Sequence, residues 1–210
     1  MNTPTAAGQR NVWDMEYGGR GTSWGKQTLH LPEVLKSKRV LEAGVGNGKT
    51  LTAILRQAPE HVAAFDFSVQ ALGRCPEGCA DLCLADAERL PYRDGSFDAV
   101  VLYYILDNLL SDGRKTVVAE ALRVLAPGGV ALFEDFASGD FSERTAKTIG
   151  APEPGTILKK KGLICHYFTE DEVRELFGGF GKAEVSVREH NPIRNKDHLV
   201  RRTVRGVFTI

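Results

Sequence analysis

A series of acids and glycines in the first half of the chain has the types and spacing to hold a nucleoside. Glu42 precedes Gly44, Gly46 and Gly48 in "LEAGVGNGKT"; Asp66 follows in "AAFDFS", then Asp86 and Ala87 in "LADAERLP". Alternate glycines let a backbone approach a ligand closely, and a Gly-rich turn that opens a helix suits a nucleoside cofactor. An acid roughly 20 residues beyond such a turn suits a two-pronged grip on ribose hydroxyls, since a carboxylate accepts both protons and would repel a phosphate. Asp86, beside a small residue, suits the exocyclic amine of an adenine. Read from Ala43, the same stretch is A-x-x-x-x-G-K-T, a phosphate cradle with Ala for the first Gly. Lys49 would then reach terminal phosphates and Thr50 a magnesium ion, with "VALFED" as the acidic strand. Glu42, Asp66 and Asp86 would surround that triphosphate with like charge, which disfavours the cradle. On the nucleoside reading Lys49 and Thr50 open an ordinary helix, with Lys49 toward solvent.

These residues need strands that end where the acids stand, and the chain supplies them. Short apolar runs at 39–44, 61–68, within 81–91, at 96–109 and at 130–136 alternate with helical stretches at 49–57 and 112–125. In the last of these Val117, Val118, Ala121, Leu122 and Leu125 recur at helical spacing, and "APGG" stops it. Near-continuous runs such as "AVVLYYIL" fit strands buried on both faces. The alternation predicts an α/β fold with a doubly wound parallel sheet. Residues 137–168 break the pattern and read as an insertion. Thr169 with Glu172 forms a capping box for a helix. "AEVSVREH" and "RTVRGVFTI" alternate with period two and read as antiparallel strands at the sheet edge.

The ordered motifs "VLEAGVGNG", "AAFDFS", "ADAERLPYRDGSFDAVV" and "ALRVLAPGGVALFED" resemble the class I S-adenosylmethionine-dependent methyltransferases. The resemblance implies a Rossmann-like seven-stranded sheet with helices on both faces and the last strand antiparallel. It implies S-adenosylmethionine as cofactor and no metal. Glu42 and the backbone of Gly44, Gly46, Asn47 and Gly48 would hold the methionine part. Asp66 would bind the ribose, Phe67 would pack on the adenine, Asp86 and Ala87 would line its slot, and Tyr103 would lie near the methyl group. The single domain divides into an N-terminal lid over 1–37, a cofactor core over 38–136, a substrate-side insertion over 137–168, and a C-terminal helix with antiparallel strands over 169–210. From "GLICHYFTEDEVRELFGGFG" to "VRRTVRGVF" the chain also resembles the methyltransferase-like enzymes that make 3-methylcytidine in tRNA.

Candidate catalytic residues are Tyr103, Asp107 and His166, with Tyr104 and Tyr167 as neighbours that serve equally as core. Trp13, Tyr17 and Trp24 are candidates to close over the site or to anchor the N-terminal segment. Cys75, Cys79 and Cys83 stand at C-x3-C-x3-C, which is neither zinc nor iron–sulfur spacing. They read as a buried strand cysteine, Cys83, and two loop thiols, with Cys165 alone. Lys+Arg and Asp+Glu are equal at 27 each, so no global field draws nucleic acid or an acidic membrane. No apolar run spans a bilayer and the N-terminus lacks a secretory apolar region, so a cytoplasmic location is expected. Residues 158–210 hold eleven Lys and Arg against seven Asp and Glu, with Lys159–Lys161, Arg194, Lys196, Arg201, Arg202 and Arg205 as a possible basic patch or a solvated face. The neutral charge and short leading segment lean toward a small-molecule acceptor. The C-terminal resemblance points to tRNA. A protein side chain, or a cofactor-binding subunit that needs a partner, completes the alternatives; oligomeric state is open.

Overall fold

The apolar runs form the middle of a parallel sheet, as their two-sided burial requires. In the computed structural model, which describes residues 6–19, 31–191 and 199–210, β1 (Arg39–Ala43), β2 (His61–Asp66), β3 (Asp81–Leu84), β4 (Phe97–Tyr103) and β5 (Leu125–Phe136) are mutually parallel. β9 (Lys182–His190) and β10 (Arg201–Thr209) complete a seven-stranded sheet in the order β3-β2-β1-β4-β5-β10-β9. β10 runs antiparallel to both neighbours. Strand order reverses between β1 and β4, and the carboxyl ends there are where open α/β sheets bind ligands.

Helices cover both faces. On one, α2 (Lys49–Leu55) buries Leu51 and Ile54 against Val40, Val62 and Val101. On the other, α4 (Ser111–Val124) buries Val117, Val118, Ala121 and Val124, and α6 (Glu170–Leu176) buries Val173, against Leu41, Val100 and Phe133. The Thr169 hydroxyl accepts from the Glu172 amide at 3.2 Å and caps α6. α3 (Val69–Leu72) is a single turn capped by Ser68.

Three elements differ from expectation. Residues 6–19 form a helix, α1 (Ala6–Gly19), inside the stretch read as a polar lid. "APGG" does not stand between helix and strand: β5 already begins at Leu125, and the Pro-Gly-Gly step is absorbed as a register shift between the Phe97↔Leu125 and Ala99↔Val130 pairs. The insertion carries α5 (Phe141–Thr145) and a separate antiparallel sheet of β6 (Thr148–Glu153), β7 (Thr156–Lys159) and β8 (Ile164–His166). Trp24, Arg194 and Lys196 lie outside the described residues. Among the described residues no helix is long and apolar enough to cross a membrane.

Candidate functional site

The turn after β1 is built on left-handed backbone. Gly44 and Gly46 have φ of 66° and 54°, a region that costs a side-chain-bearing residue about 1–2 kcal/mol. A Cβ on Gly46 would also meet the Tyr17 hydroxyl oxygen at 2.6 Å, and one on Gly44 would meet Ile105 at 3.1 Å. The Gly46 amide donates to Asp66 Oδ2 and the Ser68 amide to Asp66 Oδ1, both at 2.9 Å. Burial pushes the Asp66 carboxyl up, and these amides hold it partly down. Glu42 is buried beneath the turn, which drives its carboxyl well above the usual range. Its Oε2 meets no hydrogen-bond partner among the described residues. An orphaned buried acceptor beside a glycine cradle fits a ligand that brings a donor.

A cavity opens at the ends of β1, β2, β3 and β4. Gly44, Asp66, Phe67, Asp86 and Ala87 line it; Glu42, Gly46, Asn47, Gly48 and Tyr103 do not, the first four forming the base and back of the turn. Asp86 is already engaged: Oδ1 accepts from the Glu88 amide at 3.0 Å, and Oδ2 lies 3.6 Å from Arg10. Arg10 also sits over the Phe67 ring, 5.8 Å from its centroid. From α1, Gln9, Trp13 and Tyr17 roof the cavity, with Trp13 stacked on Tyr17 at 5.6 Å. Two anchors hold α1 there. Ser68 donates its hydroxyl to Asp14, and Gln9 donates to the Gly162 carbonyl at 2.7 Å in the β7–β8 turn. With α1 so seated the cavity has about 110 Å³ of room. Sites for drug-sized ligands offer about 300–1,000 Å³, more than the room left beneath α1 in this position.

At the β4 end, Tyr103 packs in the α2-side core and its neighbour Tyr104 lines the cavity. Tyr104 takes a left-handed φ of 56°, which breaks strand alternation and turns its ring inward. Its hydroxyl donates to Glu134 Oε1 at 2.7 Å, while Arg205 Nε lies 2.6 Å from Glu134 Oε2 as an ion pair without hydrogen-bond alignment. Lys49 is half-buried rather than turned to solvent; burial lowers its ammonium, and nearby Glu134 partly restores it. Asp107 lies behind the wall, paired with Asp135, a residue the sequence reading passed over. His166 is 2% exposed and fully engaged, Nδ1 with the Thr156 hydroxyl at 2.6 Å and Nε2 with Glu172 at 2.9 Å. Tyr167 is buried, its hydroxyl 3.0 Å from that of Ser142. Of the three clustered cysteines, Cys75 is the buried one, its thiol pushed up to about 12 by burial and by Glu42 and Asp66, and Cys83 on β3 is half-exposed; Cys165 is buried as well. The edge position of β3 explains the exchange. Asn108, also missed, lines the cavity; a lone Asn after a strand carries no sequence signal.

A family model described as "Methyltransferase domain" matches residues 41–133. The chain is 29% identical over 163 residues to tRNA N(3)-cytidine methyltransferase METTL2 of Gallus gallus, covering 71% of this chain and 44% of that protein. It is 27% identical over 194 residues to O-methyltransferase 3 of Dictyostelium discoideum, covering 82% of this chain and 44% of that protein. The chain thus spans under half the length of these relatives, 44% in each case. Among solved structures, a SAM-dependent methyltransferase of Methanosarcina mazei shares the fold with a TM-score of 0.71 at 21% identity, over 86% of this chain and 98% of that one.

Proposed function

Since the chain is a class I S-adenosylmethionine-dependent methyltransferase domain, we propose that it methylates N3 of a cytosine in tRNA. The observation that carries this reading is the make-up of the cavity wall that follows β4. Tyr104, Ile105 and Asn108 form it, with Gly44 beside Ile105 and Trp13 and Tyr17 above, and none of these is a carboxylate or an imidazole; the carboxylates that line the same cavity, Asp66, Asp86 and Glu88, follow β2 and β3 instead. Tyr104 spends its hydroxyl proton on Glu134. An acceptor that must lose a proton during transfer needs a base at that point. Cytosine N3 carries a free lone pair and no proton, so a site without a base suffices. The METTL2 similarity supports the same acceptor, because its 163 residues exceed the 41–133 span of the cofactor motifs. Neutral charge alone leans toward a small acceptor, and the similarity to O-methyltransferase 3 supports an oxygen nucleophile as the second reading. An oxygen acceptor would need Glu134 as base, and Glu134 is already held by Tyr104 and Arg205.

The bound cofactor supplies a methyl group on a sulfonium centre, and transfer is an in-line displacement that the protein assists by binding, aligning and excluding water. Asp66 would grip the ribose hydroxyls with a carboxylate pre-aimed by the Gly46 and Ser68 amides. Glu42 and the glycine turn would hold the methionine part, and Phe67 would cover the adenine. Trp13 and Tyr17 keep water from the transfer path. The test is to incubate unmodified tRNA with the protein and methyl-labelled cofactor, digest to nucleosides and identify the product by mass spectrometry. Labelled 3-methylcytidine is expected. Label confined to protein or to small molecules would overturn the reading.

A further inference from the structure

The main sheet ends on β3 at one margin and on β9 at the other, and the two margins are built differently. β9 carries Lys182, Glu184, Arg188 and Glu189. β3 has no lysine, proline or bulge, the devices that blunt an exposed edge. Its one charged residue, Asp81, is turned onto His61 of β2 at 2.9 Å. Among the described residues no strand pairs with the outer side of β3. Leu82 and Leu84 are 38% and 57% exposed. They face the side of the sheet on which α3 lies, where Val69 is 59% exposed. An apolar strip therefore runs beside an open edge.

One bond fixes the hydrogen-bonding phase of β3. The Ala85 amide donates to the Asp66 carbonyl of β2 at 3.1 Å. Along a parallel strand alternate residues turn their N–H and C=O groups to the same side, so Cys83 faces β2 as Ala85 does. Leu82 and Leu84 turn theirs outward. The Asp86 carbonyl, next in that outward row, is closed by the Arg89 amide at 3.0 Å. The open run is thus Leu82 to Leu84, with half-exposed Cys83 at its centre.

We propose that β3 is the contact between two copies of this chain, paired antiparallel about a two-fold axis at Cys83. A second copy fits because this register is complementary to itself. Leu82 of each copy lies opposite Leu84 of the other, and these two hydrogen-bonded pairs use every outward group of the open run. Cys83 faces its own counterpart in a non-hydrogen-bonded pair, the closer kind, with Cα atoms about 4.5 Å apart. The charges match too. The leading end of each strand lies beside the trailing end of the other, which brings Glu77 toward Arg89. Both are exposed, and neither meets an opposite charge among the described residues. Asp81 falls opposite Ala85, away from any acid in the register. Two seven-stranded sheets join into one, with the two ligand cavities opening at opposite ends of its strands.

Interfaces of modest size hold at about micromolar concentrations. Sedimentation velocity of the full chain between about 1 and 100 μM should show the mass rising from one chain toward two. Leu82→Lys, at an exposed position, should keep the chain single across that range. Glu77→Arg should weaken association severalfold, and so should Arg89→Glu. The two together should restore it, a rescue that a general loss of folding would not give. Diamide, which takes one hydrogen from each of two thiols, should link the copies through Cys83, because the opposed Cα atoms stand within the roughly 4.4–6.8 Å that a disulfide spans. Cys83→Ser should abolish the link. A chain that stays single throughout overturns the proposal and leaves the edge to a strand of a different protein. A dimer indifferent to Leu82→Lys, one that diamide does not link through Cys83, or a charge reversal without recovery overturns it as well.

Discussion

At Asp66 one carboxylate orders the turn and, as the proposed ribose grip, would serve the ligand as well. Its two oxygens accept from Gly46 and Ser68 at 2.9 Å, so the group is held in place before any ribose arrives. Hydrogen bonds to a charged group contribute about 1.5–3 kcal/mol each, and two toward the ribose correspond to on the order of 100-fold or more in affinity. Asp66→Ala is therefore expected to lower S-adenosylhomocysteine affinity by at least that factor in a calorimetric titration. Unchanged affinity would remove Asp66 from the ribose grip. At Gly46 two penalties are separable. Alanine there meets a left-handed φ of 54°, at about 1–2 kcal/mol, and sets its Cβ 2.6 Å from the Tyr17 hydroxyl oxygen. Gly46→Ala should destabilise the chain in urea unfolding, and Tyr17→Phe in the same chain should recover the steric part and leave the backbone part. No recovery would mean that α1 does not lie over the turn in solution. Tyr103 and Tyr104 show why a site residue can be misassigned by one. Alternation along β4 nominates Tyr103, but the left-handed step at Tyr104 is invisible to it, because nothing in a Tyr-Tyr pair announces a positive φ.

Among the elements, a buried cation is one of the ties between the three-stranded sheet and the main fold. Arg114 on α4, its side chain 5% exposed, lies 2.7 Å from Glu153 at the end of β6 and 3.6 Å from Glu172 on α6. His166 on β8 meets the same Glu172. Removing one partner of such a buried pair costs about 3–5 kcal/mol, so Arg114→Met should destabilise by that order in chemical unfolding. Amide exchange in β6–β8 should rise more than in β1 or β4; uniform loosening would deny the strut role. The pair also sets a pH dependence. Burial opposes ionisation of Glu153, but the Ser111 amide and Arg114 outweigh it and hold its carboxyl below the usual value. A depressed carboxyl contributes stability above its unfolded value of about 4.3, and that stability is lost as pH falls through the lower folded value. Glu153→Gln should flatten the acid limb of a stability–pH profile between about pH 5 and the folded value. The main sheet was legible from sequence because β1, β2, β4 and β5 carry dense apolar runs, and β9 and β10 alternate with period two. The small sheet was not: in "TIGAPEPGTILKKKGLICH" Gly, Pro and Lys dilute any alternation, and its strands pair only with one another. α1 escaped for a related reason, since its aromatic residues face a ligand cavity and not the core, and so leave no apolar stripe.

At the scale of the whole molecule, charge decides how an RNA would be held. Of the six described basic residues counted toward a patch in the C-terminal quarter, four are paired with carboxylates within the fold. Arg201 pairs with buried Asp140 at 3.2 Å and stacks between Phe136 and Phe141, 4.6 Å from each centroid. Arg202 pairs with Glu189 at 3.0 Å, Arg205 with Glu134 at 2.6 Å, and Lys161 with Glu16 at 2.8 Å. A cation already facing a carboxylate neutralises little phosphate charge, and the equal totals of 27 acids and 27 bases add no long-range pull. Nucleic-acid affinity falls with log salt with a slope of about −0.7 to −0.9 per phosphate neutralised. If this domain binds tRNA through its described surface alone, the slope should be shallow, about −2 to −3, where a protein with a full basic face gives several times that. Filter binding between low and physiological salt measures it directly. A slope near −6 or steeper corresponds to about seven or more neutralised phosphates and would require ion pairs such as Arg202–Glu189, Arg205–Glu134 and Lys161–Glu16 to open on binding. Glu189→Gln would then steepen the low-salt affinity gain, whereas with a shallow slope the same substitution should leave binding nearly unchanged. The two outcomes separate a domain that grips RNA by charge from one that recognises mainly the base it methylates.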